Sequence, residues 1–406
     1  KITHPPPQKN LFWRILKKMS LTKNIYFKNF RIKNSKKKIQ NILRSLLSEK
    51  NQILDSLNKS YKNSYYKKDI LNYKNFTSIA IVGMGGSILG AKTIYSFLKN
   101  KIKKNFFFID NFNNNKIQKI LNKKKLNIII SKSGNTLETI ANSNILINNK
   151  DKNIFITENK KSYLRSLAQK LKSDIINHNN YIGGRYSVLS EVGMLPAELM
   201  GLNVNKFRGY NSLIKNKNFI NSLIGNVTNI LSLVDKKKSN SIILNYDQKS
   251  SDLFYWYQQL VAESLGKKNK GILPVISEMP KDNHSLMQYY LDGKKDNFYT
   301  FFFVKENFSR RINKNKLLSS HSYLKNKNIN DILQSQYTAT QNVFKKKRIP
   351  FRSFFVNQRN EASLGELFTF FILETILLGK ALSVNPYDQP AVELIKVDTK
   401  KILIKS

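Results

Sequence analysis

The stretch Ser131-Lys132-Ser133-Gly134-Asn135-Thr136 sets three hydroxyls, a glycine and a lysine where an apolar run ending at Ile130 gives way to a helical pattern. Hydroxyls at such a junction can bond phosphate oxygens, and a helix N-terminus adds free N–H groups and a positive dipole. A single Ser or Thr would suffice as an N-cap, so the excess favours an anion site. A second glycine turn, Gly83-Met84-Gly85-Gly86-Ser87, joins the run Ser78 to Val82 to another helical stretch. It fits either phosphate approach or tight strand-to-helix packing. A dinucleotide fingerprint would need glycine where Ile88 stands, and there is no Gly-Lys-Ser/Thr triphosphate loop. The chemistry suggested is recognition of a phosphorylated small molecule without triphosphate hydrolysis.

The elements that must position these loops follow from periodicity. Short apolar runs at Ser78 to Val82, Phe106 to Ile109, Asn127 to Ile130 and Asn153 to Ile156 alternate with helical stretches at Ser87 to Leu98, Ile117 to Leu121, Asn135 to Leu146 and Ser162 to Leu171. Such alternation predicts a parallel sheet with crossover helices. It recurs with strands at Ser241 to Leu244, Gly271 to Ile276, Tyr299 to Val304 and Ile349 to Val356, and helices around Phe254, Leu286, Thr338 and Phe370. The fold class expected is α/β, with two tandem doubly wound domains at residues 61–204 and 205–406 and a crevice between them near the carboxyl ends of the strands. Residues 1–60 read as a proline start (Pro5 to Pro7) and a basic helical extension bearing Ile39, Ile42, Leu46 and Leu47. This extension reads as support packed on a core, with a nucleic-acid arm at Lys36 to Lys38 as the competing reading.

Composition narrows the classes further. In 406 residues, 70 Lys and Arg against 26 Asp and Glu give +44, but the surplus is mainly Lys, spread along the chain together with Asn and Ile. That pattern reads as codon bias, and an anionic small substrate suits it as well as nucleic acid does. The absence of Cys removes disulfides, thiolate nucleophiles and every cysteine-bearing metal site. No pair among the four His has metal-ligand spacing, so no metal and no cofactor is expected. His4, His178 and His321 read as structural or solvent-facing. The apolar stretch Leu364 to Leu382 carries Glu366, Glu374 and Lys380, which predicts a buried helix rather than a membrane span. The start has no apolar signal core, and a soluble, cytoplasmic protein is expected.

Ser-x-Ser-Gly-x-Thr after a strand is similar to the sugar isomerase domains that bind phosphosugars. Tyr181-Ile182-Gly183-Gly184-Arg185-Tyr186-Ser187 resembles the first signature of the glucose-6-phosphate isomerase family, and Pro386 to Lys396 resembles its second. Between them, Ala262-Glu263-Ser264-Leu265-Gly266-Lys267 and Lys281-Asp282-Asn283-His284-Ser285-Leu286 resemble the segments bearing the family's acid/base glutamate and ring-opening histidine. The match runs in family order from about Ile79 to Lys396. Moving a proton between C1 and C2 of a sugar phosphate requires a base near the operating pH, a cation for the developing oxyanion and an acid for the ring oxygen. The resemblance implies that Glu263 shuttles the proton, Arg185 stabilises the enediolate, His284 and Lys396 open the ring and Gln389 positions the sugar. It further implies that Gly86, Ser87, Ser131, Lys132, Ser133, Thr136 and Gly184 bind the substrate around its phosphate. A homodimer is implied too, with His284 reaching the site of the other subunit. Two positions depart from the longer members: Leu265 stands at an Asn position, and Asn135 replaces a hydroxyl.

Rival functions are separable. A phosphosugar sensor would need Ser131 to Thr136 but not Glu263, His284 and Lys396; a sibling isomerase would also accept mannose phosphate. A basic nucleic-acid-binding protein would show affinity falling steeply with salt.

Overall fold

The structure, a computed structural model, describes residues 19–405 apart from Lys33, Asn122, Asn149, Lys150 and Asn307; the proline start and His4 lie outside the described residues. Two five-stranded sheets form. The first contains β2 (Ser78–Gly83), β3 (Asn105–Ile109), β4 (Leu126–Ile130), β5 (Lys152–Thr157) and β6 (Asp174–Asn177), in the order β3-β2-β4-β5-β6 and parallel throughout. The second contains β1 (Ile25–Lys28), β7 (Asn240–Asn245), β8 (Leu273–Glu278), β9 (Asn297–Val304) and β10 (Phe351–Val356), in the order β1-β10-β9-β7-β8. Its strands are parallel except for β1, which runs antiparallel to β10. Helices cover both faces of a parallel sheet, which is why central strands such as β4 and β9 are buried along their whole length and are mostly apolar, with Asn127 and Thr300 among the buried polar positions inside them.

The strands anticipated from sequence are present, and two more accompany them. β6 and β1 lie outside the strands that the sequence predicts: each is a four-residue edge strand, too short for a periodic pattern, and β1 sits in a segment whose basic residues read as a helical extension. β1 changes the meaning of the N-terminal segment, which contributes a strand to the second sheet as well as a packing helix. That helix, α1 (Lys37–Ser48), buries Ile39, Leu43 and Leu46, while Leu47 is exposed.

Between the sheets lie α2 (Gly86–Phe97), α4 (Glu191–Leu199), α5 (Ser251–Leu265) and α6 (Glu361–Ala381), while α3 (Leu137–Leu146) packs on the other face of the first sheet and α7 (Val392–Lys405) follows α6. Residues of α2, α4, α5 and α6 share one continuous apolar core with strands of both sheets. A capping box starts α6: Asn360 Oδ1 accepts the Ser363 N–H at 2.9 Å, and Ser363 Oγ accepts the Asn360 N–H at 3.1 Å. Among the described residues, α6 alone is long and apolar enough to cross a bilayer, and 89% of its most apolar window is buried inside the protein.

One polar network crosses this core. Arg352 of β10 pairs with Glu374 of α6, and both are fully buried. The guanidinium also reaches Thr300 at 2.9 Å, Asn226 at 3.0 Å and the Tyr257 hydroxyl at 3.1 Å. Tyr257 in turn donates to Glu374 at 2.8 Å. Because Tyr257 lies on α5, the network ties that helix to the second sheet. Removing one partner of a buried ion pair leaves the other charge uncompensated, which costs about 3–5 kcal/mol. Glu374→Leu should therefore lower urea-unfolding stability by that amount, and adding Arg352→Met should restore most of it. Additive losses in the double variant would rule out this pairing.

Candidate active site

Arg185 sits in a short 3-10 turn, Gly184–Leu189, that follows Gly183 and leads into α4. The turn is pressed against the start of α2, where a Cβ on Gly86 would lie 2.1 Å from the Gly184 carbonyl carbon. Only glycine permits that approach. The Arg185 side chain is buried, and each of its donor nitrogens is engaged. Nε donates to Ser264 Oγ at 2.8 Å; Nη1 donates to Glu263 Oε2 at 3.2 Å and Gln389 Oε1 at 2.7 Å; Nη2 donates to the carbonyls of Pro386 at 2.7 Å and Asp388 at 3.0 Å. These bonds use all five N–H donors of a guanidinium. They join the first α/β unit to the end of α5 and to the turn before α7.

Glu263 lies on the last turn of α5 and is the more open partner, its side chain 29% exposed against 1% for Arg185. Its other oxygen accepts from Gln259 Nε2 at 2.8 Å, four residues back on the same helix. The carboxylate is thus held from both sides. Gly85, at φ +51, lets the chain pass Gln259, because a Cβ there would come within 2.6 Å of its amide nitrogen. Tyr186 shares Ser264 Oγ at 2.9 Å and donates to the Pro386 carbonyl at 3.0 Å. Burial pushes its phenol up to about 12, so it stays a donor at neutral pH. Lys267 completes the clamp on the turn through the Asn385 carbonyl and Asp388 Oδ1, the latter at 2.7 Å, and its ammonium holds the Asp388 carboxyl below its ordinary range.

The serine-rich loop runs from the end of β4 to α3. Ser131 and Thr136 hydroxyls bond each other at 2.8 Å, and Ser133 Oγ accepts the Asn135 N–H at 3.2 Å. Gly134, at φ +66, makes the bend. Thr136 occupies the cap position of α3 without a side-chain cap bond, which leaves that helix N-terminus free of side-chain capping. Lys132 Nζ donates to the Asn180 carbonyl at 2.8 Å and lies 3.5 Å from Glu158.

Sequence-derived candidates therefore fall into three groups. Arg185, Glu263 and Gln389 meet directly, with Gly86 and Gly184 in contact behind them. Ser131, Lys132, Ser133 and Thr136 form one loop, and Ser87 lies in the first turn of α2. His284 and Lys396 stand apart: His284 is exposed after a short 3-10 turn, and Lys396 lies on α7 bonded to Glu393 at 2.5 Å, its side chain 60% exposed. Gln259, Ser264, Tyr186 and Lys267 received no role from the sequence. Gln259 was findable from its four-residue helical spacing to Glu263; the other three lay inside recognised motifs as silent positions.

A cavity of about 940 Å³ lies at the end of α5 and touches this region through Ala262, Gly266 and Lys267. A smaller one of about 510 Å³, lined by Gly85, Leu89, Gln259 and Ala262 among others, opens beside the Glu263 helix. Convergent polar groups rather than volume mark the site. Among the described residues no cluster of His, Asp and Glu has the makings of a metal centre.

Two α/β sheets around a shared helical layer, with an Arg–Glu pair and a hydroxyl-rich loop at strand ends, define the class of phosphosugar isomerases. Residues 33–273, more than half of the chain, match the family model described as Phosphoglucose isomerase. The chain belongs to the phosphoglucose isomerase family. It is 34% identical to the glucose-6-phosphate isomerase of Methanocaldococcus jannaschii over 82% of this chain and 86% of that one. With the glucose-6-phosphate isomerase of Mycoplasmopsis pulmonis the identity is 32%, over 80% and 83%. In fold it resembles a hypothetical protein from Thermus thermophilus (TM-score 0.78, 23% identity, 91% and 94% covered) and a glucose-6-phosphate isomerase from Chlamydia trachomatis (TM-score 0.74, 16% identity, 96% and 90% covered).

Ser264 offers a test of the geometry. Ser264→Ala leaves a buried, charged donor without its acceptor, and should destabilise by about 1–3 kcal/mol in denaturant titration. Unchanged stability would show that Arg185 Nε does not depend on this hydroxyl.

Proposed function

We propose that the chain interconverts glucose 6-phosphate and fructose 6-phosphate at the Arg185–Glu263 pair, through a cis-enediolate, in glycolysis and gluconeogenesis. The observation that carries this reading is the 3.2 Å contact between a buried guanidinium and a half-open carboxylate. A carboxylate is the base that can take a proton from C2 and return it to C1, and a guanidinium beside it stabilises the oxyanion that develops. Arg185 has no idle donor, so the oxyanion gains a bond only by displacing an existing acceptor. Nη1 supplies it, because Gln389 is exposed and its amide can turn to a sugar hydroxyl, whereas Nε and Nη2 are bound to buried or main-chain groups.

The phosphate is held by Ser87, Ser131, Ser133 and Thr136 at two helix N-termini, with Gly86 and Gly184 admitting close approach and Lys132 adding charge. This grip on the unreacting end supplies binding energy that orients C1 and C2. His284 and Lys396 open the ring. The exposure of His284 suits a homodimer in which it serves the partner's site, and Lys396 serves once α7 turns towards the Gln389 end of the clamp. The enzyme works in the cytoplasm with a small phosphosugar as its partner, and with neither nucleic acid nor membrane.

Glu263→Gln keeps the shape of the side chain and removes the base. Turnover of glucose 6-phosphate, measured in chelating buffer, should fall by roughly 10²–10⁴-fold while the variant still binds the phosphosugar. Full turnover in this variant would contradict the assignment.

A further inference from the structure

Glu191, at the start of α4, is almost completely buried at 1% exposure, and nothing in the isomerisation uses it. Its Oε1 accepts the Asn179 N–H at 2.9 Å and its Oε2 accepts the Tyr61 hydroxyl at 3.2 Å. His178, 3% exposed, brings Nδ1 to 3.1 Å from Oε1, near enough for attraction though poorly aligned for a hydrogen bond. Burial alone would raise the Glu191 carboxyl; the imidazole and the Asn179 N–H overcome that and keep it below the ordinary carboxylate range. A buried carboxylate is costly unless its partners are worth keeping. Two of the three partners, His178 and Asn179, begin one short loop, and Tyr61 braces the carboxylate from the N-terminal segment.

That loop, residues 178–184, leaves β6 and ends at the glycines before Arg185. Glu191 fixes its start through Asn179. The next residue, Asn180, gives its carbonyl to Lys132 Nζ at 2.8 Å, and Asn179 itself braces Gln52 at 2.9 Å and the Tyr181 N–H at 2.9 Å. The far end presses Gly184 against Gly86. One anchored strap therefore spans the lysine of the hydroxyl-rich loop and the turn that carries Arg185.

We infer that Glu191, aided by His178 and Tyr61, is a positioning residue that acts through the 178–184 loop to hold the Lys132 ammonium at the substrate's phosphate. The inference rests on the reading that Lys132 faces the phosphate. It assigns a role to a buried pair that the proton-transfer chemistry leaves idle.

A mutant cycle on the purified full chain tests it, with folding checked by circular dichroism and KM and kcat measured with glucose 6-phosphate. Glu191→Ala should raise KM roughly tenfold with a smaller change in kcat. Glu191→Gln keeps an acceptor for Asn179 and should restore KM to within about threefold of wild type. In a Lys132→Ala background, Glu191→Ala should add almost nothing further to KM, because neighbours acting through one contact are non-additive. Should Glu191→Ala not fold, Glu191→Met keeps the volume and removes both acceptors. If Lys132→Ala raises KM and Glu191→Ala multiplies that rise independently, or loses only thermal stability, Glu191 is structural and the inference is overturned. If Lys132→Ala leaves KM unchanged, the phosphate reading of Lys132 fails and the inference falls with it.

Discussion

A guanidinium buried to 1% exposure cannot be left with idle donors, and the arrangement around Arg185 follows from that constraint. Its five N–H groups need acceptors, and the chain supplies them from two places far apart in sequence: the end of α5, and the turn at 386–389 between α6 and α7. Two of the acceptors are main-chain carbonyls, which a substitution cannot remove. The turn at 385–389 is therefore held by the same side chain that faces the Glu263 carboxylate. Fold and chemistry compete for one group. In the proposed reaction Nη1 gives the chemistry access, because its acceptors, Glu263 and Gln389, are the side-chain acceptors most open to solvent.

The site stays in place because other buried polar groups anchor what carries it. Arg352 and Glu374 tie α5 to the second sheet through Tyr257, and so fix the helix on which Gln259, Glu263 and Ser264 stand. Glu191 does the same for the loop that leads to Arg185. In each case a charge inside the core is matched by several hydrogen bonds, and that full matching makes its burial tolerable. The apolar core around α2, α4, α5 and α6 supplies the bulk of the packing, while these networks choose among ways of packing it.

Much of this was legible in the sequence, in a way that follows from what each feature depends on. Central strands such as β4 and β9 announce themselves because burial on both faces demands mostly apolar residues. β1 and β6 do not, since four residues at a sheet edge are too short to show a period. The hydroxyl-rich loop stands out because its side chains are neighbours in the chain. Arg185, Glu263 and Gln389 were named only through motif resemblance; that they meet depends on two crossovers and a shared helical layer that no local pattern encodes. Ser264 and Lys267 were written inside a recognised motif, yet their task, holding Arg185 and the 385–389 turn, appears only once the partners are assembled. Lys396 shows the opposite case, named by motif but placed by this structure on an exposed helix, bonded to Glu393.

The central claim is that Arg185 secures the C-terminal turn as well as serving the reaction, and amide hydrogen exchange tests it most directly. In Arg185→Lys, which keeps the charge but loses the forked donors, exchange at Tyr387, Asp388, Gln389 and along α7 should rise by about tenfold or more, while β2 and β4 keep their protection. Unchanged exchange at 385–405 in a variant of intact fold would contradict the account, because the turn would then be held without Arg185.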